Sequence, residues 1–218
     1  IDPQDPEAPD RDRFLLSKGH AAAALYTTLA LRGYFPEEEL TKYCVDGGRF
    51  HGHPCRDAAP GIEFSSGSLG HGLSVAAGMA LSLKGISKGV IFTLLGDGEC
   101  NEGSVWEAAT FAAKNRLNNL VAIIDVNRFQ GFAATEDIDS LDLKKKWEAF
   151  GWTAFEVDGH DFVALEQVLN MAKQLDCPVV ILANTISGKG IKAIENTLLA
   201  HYFVLDETVY QQTLREIY

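Results

Sequence analysis

The chain is short of cations, of paired cysteines and of long apolar runs, and each shortage removes a class of function. Among 218 residues there are 19 Lys and Arg against 30 Asp and Glu, a formal net charge of −11. Phosphate backbones and anionic lipid surfaces reward clustered cations, so neither nucleic acid nor a membrane is an expected partner. The longest basic run, Lys144-Lys145-Lys146, is too short to change that. The four cysteines, Cys44, Cys55, Cys100 and Cys177, contain no C-x-x-C pair. That argues against a zinc ribbon and a disulfide framework, and for a reducing, cytoplasmic setting. No apolar stretch approaches the roughly 20 residues that cross a bilayer, and no signal-like segment lies near the start. What is present, 46% hydrophobic and 10% aromatic residues, suffices for one sizeable core or two small ones.

Residues 1–13, with three prolines among charges, read as an irregular lead-in, and residues 14–218 as a single α/β domain. Ala21–Arg32 is a strong helix former closed by Gly33, with His20 at its N-terminal edge. Pro36 followed by Glu37, Glu38 and Glu39 predicts a second helix that Gly47-Gly48 stops. A loop rich in Gly, His and Pro then leads into a helix at 73–84, whose Ala76, Ala77, Gly78 and Ala80 permit close approach of a neighbour. From there short β-branched runs at 90–95, 120–126, 152–157 and 178–185 alternate with helical stretches at 106–117, 142–150 and 162–175, before an amphipathic closing helix. That alternation predicts a doubly wound, mostly parallel sheet flanked by helices, its strands buried on both faces.

In such a sheet ligands bind beyond the carboxyl ends of the strands. Two of those ends carry the clearest chemistry. Gly96-Asp97-Gly98-Glu99 follows the run at 90–95, and Asn127-Arg128 follows the run at 120–126. If these strands are neighbours, Asp97 and Asn127 stand side by side. A carboxylate and an amide oxygen, with a backbone carbonyl just past Asn127, make half of a hard-cation shell, and magnesium completes such a shell with waters and phosphates. Gly96 and Gly98 allow a phosphate close to the backbone, and the helix entered near Gly103 is placed to direct its N-terminus at the anion. Taken alone, G-D-G is more often an ordinary strand-to-helix turn; Asn127 at the next strand end is what favours a site. Gly188-Lys189-Gly190 is not a P-loop, because no Gly lies five positions earlier and no Ser or Thr follows the Lys.

The interval from G-D-G at 96–98 to Asn127, with 28 residues between, matches a thiamin diphosphate signature, and its context GDGECNEGSVWEAATFAAKNRLNNLVAIIDVNRFQG resembles the transketolase family. DRFLLSKGHAAAALY (12–26), HGHP (51–54), GIEFSSGSLGHGLSVAAGMAL (61–81), FGWTAFEVDGHD (150–161) and TISGKGIKAIEN (185–196) each resemble a family block, in family order. The resemblance implies that Asp97, Asn127 and the backbone of Phe129 hold Mg²⁺. It implies that Gly96, Gly98, Glu99, His20 and His201 meet the cofactor near its diphosphate. Gly67 and Leu69 would line its ring side, His53 would lie near the aminopyrimidine and the substrate, and Glu102 would link two active sites across a dimer. Without the resemblance each of these histidines would more often be structural. His51, His71 and His160 have weaker cases, as loop support, an ambiguous position and a strand-end cap.

The resemblance covers only the family's diphosphate-binding domain. In the family, the glutamate that activates the cofactor lies on a second, pyrimidine-binding domain. Two explanations fit, the N-terminal subunit of a split enzyme, which is favoured, or a piece of a longer polypeptide; for the split enzyme the expected partners are a second copy of this fold and a C-terminal pyrimidine-binding subunit, in a heterotetramer. The expected reaction is transfer of a two-carbon ketol unit from a ketose donor, to a sugar phosphate or, in a specialised version, to a carrier protein; a noncatalytic scaffold is the alternative. Three departures stand out: a family segment S-G-H-P-G is missing, His71 stands where glutamine is common, and Gln130-Gly131-Phe132-Ala133 interrupts the usual metal loop.

Overall fold

A computed structural model describes residues 2–204 and 206–217. In chain order its elements are β1 (Arg13–Leu16), α1 (Ala22–Leu31), α2 (His71–Leu83), β2 (Ile91–Gly96), α3 (Gly103–Lys114), β3 (Leu120–Val126), the hairpin strands β4 (Phe129–Gln130) and β5 (Ala133–Ala134), α4 (Leu143–Ala149), β6 (Thr153–Asp158), α5 (Phe162–Ala172), β7 (Val179–Asn184) and α6 (Glu207–Ile217). Five strands form one sheet in the order β1-β2-β3-β7-β6, and every pairing in it is parallel.

The strand sequences explain the two-sided burial. Along β3, Leu120, Ala122 and Ile124 join the cluster built with α2, α3 and Trp147 of α4. Val121 of the same strand turns to the opposite face, where it meets Val179, Ile181 and the α5 residues Val168 and Ala172. A third cluster centres on α1, with Tyr26, Leu29, Phe35 and Phe50. The direction of strand progression reverses between β3 and β7, which puts α3 and α4 on one face and α5 on the other. Such a reversal is where a ligand crevice opens at the carboxyl rim.

Several expectations shift. The chain enters the sheet at Arg13, inside the segment read as lead-in, and the lead-in is itself tied down: Asp12 accepts the Val90 N–H at 2.8 Å and pairs with Lys173 at 2.7 Å. The helix expected after Pro36 is only a six-residue 3-10 helix, Glu37–Lys42. It stops because Tyr43 takes up extended backbone bridging to Phe50, and Cys44 then adopts a left-handed φ of 52°. Leu205 and Tyr218, within the expected closing helix, lie outside the described residues.

Candidate functional site

The register of β2 on β3 pairs Gly96 with Asp125, and that of β3 on β7 pairs Val126 with Asn184. Residues following these strands therefore meet on one rim. A cleft of about 1460 Å³ opens there, lined by His20, Leu69, Gly96, Asp97, Gly98, Glu99, Glu102, Asn127, Phe129 and His201 among the sequence-predicted residues. His53 and Gly67 lie outside this lining but pack together beside it. A Cβ on Gly19 would stand 3.0 Å from His53 Cδ2 and 3.0 Å from the Gly67 nitrogen, so glycine before His20 lets the two histidine segments close on each other.

Asp97 caps the turn that follows β2. Its Oδ1 accepts the Gly98 N–H at 2.9 Å and its Oδ2 accepts the Arg128 N–H at 2.7 Å. Arg128 reaches that position through a left-handed φ of 69°, a strained turn that folds the β4–β5 hairpin back across the rim. Thr135, just after β5, places its hydroxyl 3.4 Å from Asp97 Oδ2. The Gln130–Ala133 departure is thus a tight hairpin that keeps the loop against Asp97 and leaves Phe132 exposed at its tip. Burial pushes the Asp97 carboxyl upward, opposed by its backbone N–H donors. Asn127 Oδ1 lies 2.9 Å from the Phe129 N–H.

The helix after β2 begins where the sequence placed it: α3 starts at Gly103 with Glu102 as its exposed N-cap residue, and a 3-10 turn, Gly98–Asn101, fills the stretch between it and Asp97. Glu99 inside that turn is 2% exposed. Its Oε1 accepts Ser17 Oγ–H and the Gly70 N–H at 2.8 Å, and its Oε2 accepts the Gly96 N–H at 3.1 Å. The family motifs place Glu99 against the cofactor. Glu99 lines the cleft, and its carboxylate is bonded within the chain, joining residues at the ends of β1 and β2 to the start of α2.

Three residues that sequence reasoning passed over complete the rim. Lys18, 7% exposed, pairs with Asp125, and Asp125 also accepts the Thr185 hydroxyl. Burial would raise the Asp125 carboxyl, but the Lys18 charge and the hydrogen bonds from Lys18, Thr185 and Asn127 hold it below the usual carboxylate range. The same Lys18 acts on the histidines. Burial, then Lys18, His201 and His53, push His20 down to about 4, and burial with Lys18 lowers His201. Both rings keep solvent contact at the cleft mouth, and both stay neutral at physiological pH. His51 and His71 are exposed, while His160 Nε2 accepts the Ile186 N–H at 2.9 Å, bracing the loop after β7.

The site fits a magnesium diphosphate on its own terms. The rim supplies the Asp97 carboxylate and the Asn127 amide oxygen, part of the hard oxygen set that magnesium prefers, with Phe129 beside them in the lining. A Cβ on Gly96 would meet nothing within 4 Å, so the cleft floor is open where a ligand would press on backbone. Gln130 Nε2, packed over Gly98, is buried without a hydrogen-bond partner among the described residues. That is an orphan donor suited to an anionic oxygen.

Comparison with known proteins bears on the family. The family profile described as "Transketolase, thiamine diphosphate binding domain" matches residues 1–217. The chain is 41% identical over 220 residues to the 6-deoxy-6-sulfo-D-fructose transketolase subunit SqwG of Clostridium sp. (strain MSTE9), covering 100% of this chain and 80% of that protein. It is 42% identical over 218 residues to one of the subunits of the apulose-4-phosphate transketolase of Actinobacillus succinogenes, covering 99% of this chain and 79% of that protein. Transketolase from Campylobacter jejuni superposes with a TM-score of 0.93 at 30% identity, over 99% of this chain and 35% of that one. With the parallel sheet shared with solved transketolases and the family profile matching residues 1–217, the chain belongs to the transketolase family and comprises its thiamin diphosphate-binding domain.

Proposed function

We propose that this chain is the diphosphate-binding half of a split transketolase that, with a pyrimidine-domain partner subunit, moves a two-carbon ketol unit from a ketose donor to an acceptor. The carrying observation is that Asp97 and Asn127 follow adjacent parallel strands and line one cleft, whose backbone at Gly96 is open while Gln130 packs over Gly98. Asp97, Asn127 and the Phe129 carbonyl would hold Mg²⁺, and Gln130 Nε2 would donate to the diphosphate. Thiamin diphosphate supplies, when bound, the nucleophilic carbon for ketol transfer.

The chain's own residues supply proton handling and orientation. His20 and His201, kept neutral beside the Lys18 charge, each present a ring able to accept or donate a proton at a sugar hydroxyl. His53, packed against Gly67, extends that row away from the cation. Two relatives are named for anionic ketoses, one a sulfonate and one a phosphate, and an anionic ketose is the donor proposed here. We place the enzyme in the cytoplasm as a heterotetramer with two copies of each half.

The test is calorimetric titration of thiamin diphosphate and Mg²⁺ into the chain with and without its pyrimidine-domain partner, in parallel with a ketol-transfer assay. Binding and turnover that require the partner are the expected result. Tight binding without sugar turnover would redirect the acceptor toward a carrier protein. No binding in either state would overturn the enzyme reading, and full activity in a simple one-to-one pair would overturn the heterotetramer.

A further inference from the structure

We propose that Asp125, clamped by Lys18 and Thr185, is a positioning residue that sets which end of the Asn127 side chain faces the cation. The inference rests on the cofactor reading above. An asparagine amide is nearly symmetric in shape but not in chemistry: only its oxygen can ligate a metal, and a half-turn about the last bond would present NH₂ instead. Asn127 Nδ2 lies 3.3 Å from Asp125 Oδ2. The flipped amide would set oxygen against carboxylate there and NH₂ against the Phe129 N–H, which now donates to Oδ1 at 2.9 Å. Both neighbours therefore select one orientation, with the oxygen toward the loop that carries Arg128 and Phe129. That loop is the one bonded to Asp97 through the Arg128 N–H at 2.7 Å.

Asp125 is itself a carboxylate on the same rim, two residues from Asn127, and invites confusion with a ligand. Both its oxygens are already engaged, Oδ2 with Lys18 and Asn127 and Oδ1 with Thr185. The three strands concerned, β1, β3 and β7, do not all touch: Lys18 reaches past the end of β2 to meet Asp125. Lys18 from the β1 flank and the Thr185 hydroxyl from the β7 flank thus fix the carboxylate, and the Lys18 charge neutralises it, leaving Asp97 as the charged ligand. Such outer partners of a metal ligand are worth roughly 10–100-fold in metal affinity.

The test compares Asp125→Asn, Asp125→Glu and Lys18→Met with the wild type, each in complex with its pyrimidine-domain partner. Mg²⁺ and, separately, Ca²⁺ are titrated by calorimetry with thiamin diphosphate present, and melting temperature is recorded. Magnesium needs near-ideal octahedral donors whereas calcium tolerates irregular ones. Asp125→Asn and Lys18→Met are expected to weaken Mg²⁺ about 10-fold or more while weakening Ca²⁺ far less, and Asp125→Glu is expected to recover part of the loss. Equal losses for both cations would show a general structural effect and overturn the proposal, as would unchanged Mg²⁺ affinity in Asp125→Asn. If Asp125→Asn fails to fold, Lys18→Met decides by the same ratio. A wild type that binds neither cation with the cofactor would instead refute the underlying cofactor reading.

Discussion

Replacing Glu99 tests whether a buried carboxylate, rather than the ligand, builds the pocket. The side chain is 2% exposed and receives three hydrogen bonds, from Ser17 Oγ, the Gly70 N–H at 2.8 Å and the Gly96 N–H at 3.1 Å. Glu99→Gln keeps one oxygen. If that oxygen serves Ser17 and Gly70, the new NH₂ opposes the Gly96 N–H, removing one bond and setting donor against donor, at a cost of about 2 kcal/mol. Glu99→Ala strands all three donors in the interior, at about 3–5 kcal/mol. For a chain of this size each kcal/mol moves the melting temperature by roughly 2–4 °C. The Gln variant should therefore melt about 4–8 °C low and the Ala variant about 6–20 °C low by scanning calorimetry. Because Gly96 and Ser17 end β2 and β1 at the cleft, thiamin diphosphate binding should weaken with them. A Gln variant melting within about 1 °C of the wild type, with unchanged cofactor affinity, would refute the argument.

Asp97→Ala should abolish calorimetric binding of Mg²⁺ with thiamin diphosphate, since it removes the one charged oxygen ligand proposed at the rim. His20 titrates at about 4 when folded against an ordinary 6.5, so the unfolded chain binds more protons between those values. The stability this residue contributes is then full above pH 6.5 and lost as pH falls toward 4. Denaturation of wild type and His20→Gln across that window should show a shallower pH slope in the variant, and histidine NMR should find the His20 transition well below 6.5. Gly19→Ala places a methyl 2.9 Å from Ser66 Oγ and 3.0 Å from the His53 ring. It should lower kcat through the displaced histidines while leaving Mg²⁺ affinity nearly intact. Trp147→Ala empties a fully buried site between Trp106 and Trp152 and should cost about 3–5 kcal/mol in denaturant unfolding.

What the sequence made legible follows physical range. LVAIIDV is buried on both faces and flanked by helices, and β3 occupies the expected residues 120–126. β1 escaped notice because RFLL is four residues at the sheet edge, beside a charged lead-in that masks its apolar pattern. The acids after Pro36 do open a helical turn, but helix chemistry at one end cannot reveal that Tyr43 bridges to Phe50 at the other. In the site, Asp97 and Asn127 were legible because each directly follows an apolar run. Lys18, Asp125 and Thr185 were not, since 107 and 60 residues separate the partners and only the fold brings them together. The rewiring of Glu99 was hidden for the same reason: its donors lie at Ser17 and Gly70, in blocks whose local patterns point elsewhere.

All three tryptophans of the chain, Trp106, Trp147 and Trp152, stand in one stack, with ring centroids 5.0 and 4.9 Å apart. The indole of Trp106 donates to the Cys100 carbonyl at 2.7 Å, in the turn that begins at Asp97. The chain therefore carries its own optical probe. Excitation at the indole band samples a single neighbourhood, coupled rings within it give a near-ultraviolet dichroism signal that depends on their mutual angles, and one end of the cluster is bonded to the turn that begins at Asp97. Emission from this chain reports on the packing of α3 against α4 and on the turn that begins at Asp97, and is blind to the α1 lobe, where tyrosine and phenylalanine make up the aromatic core.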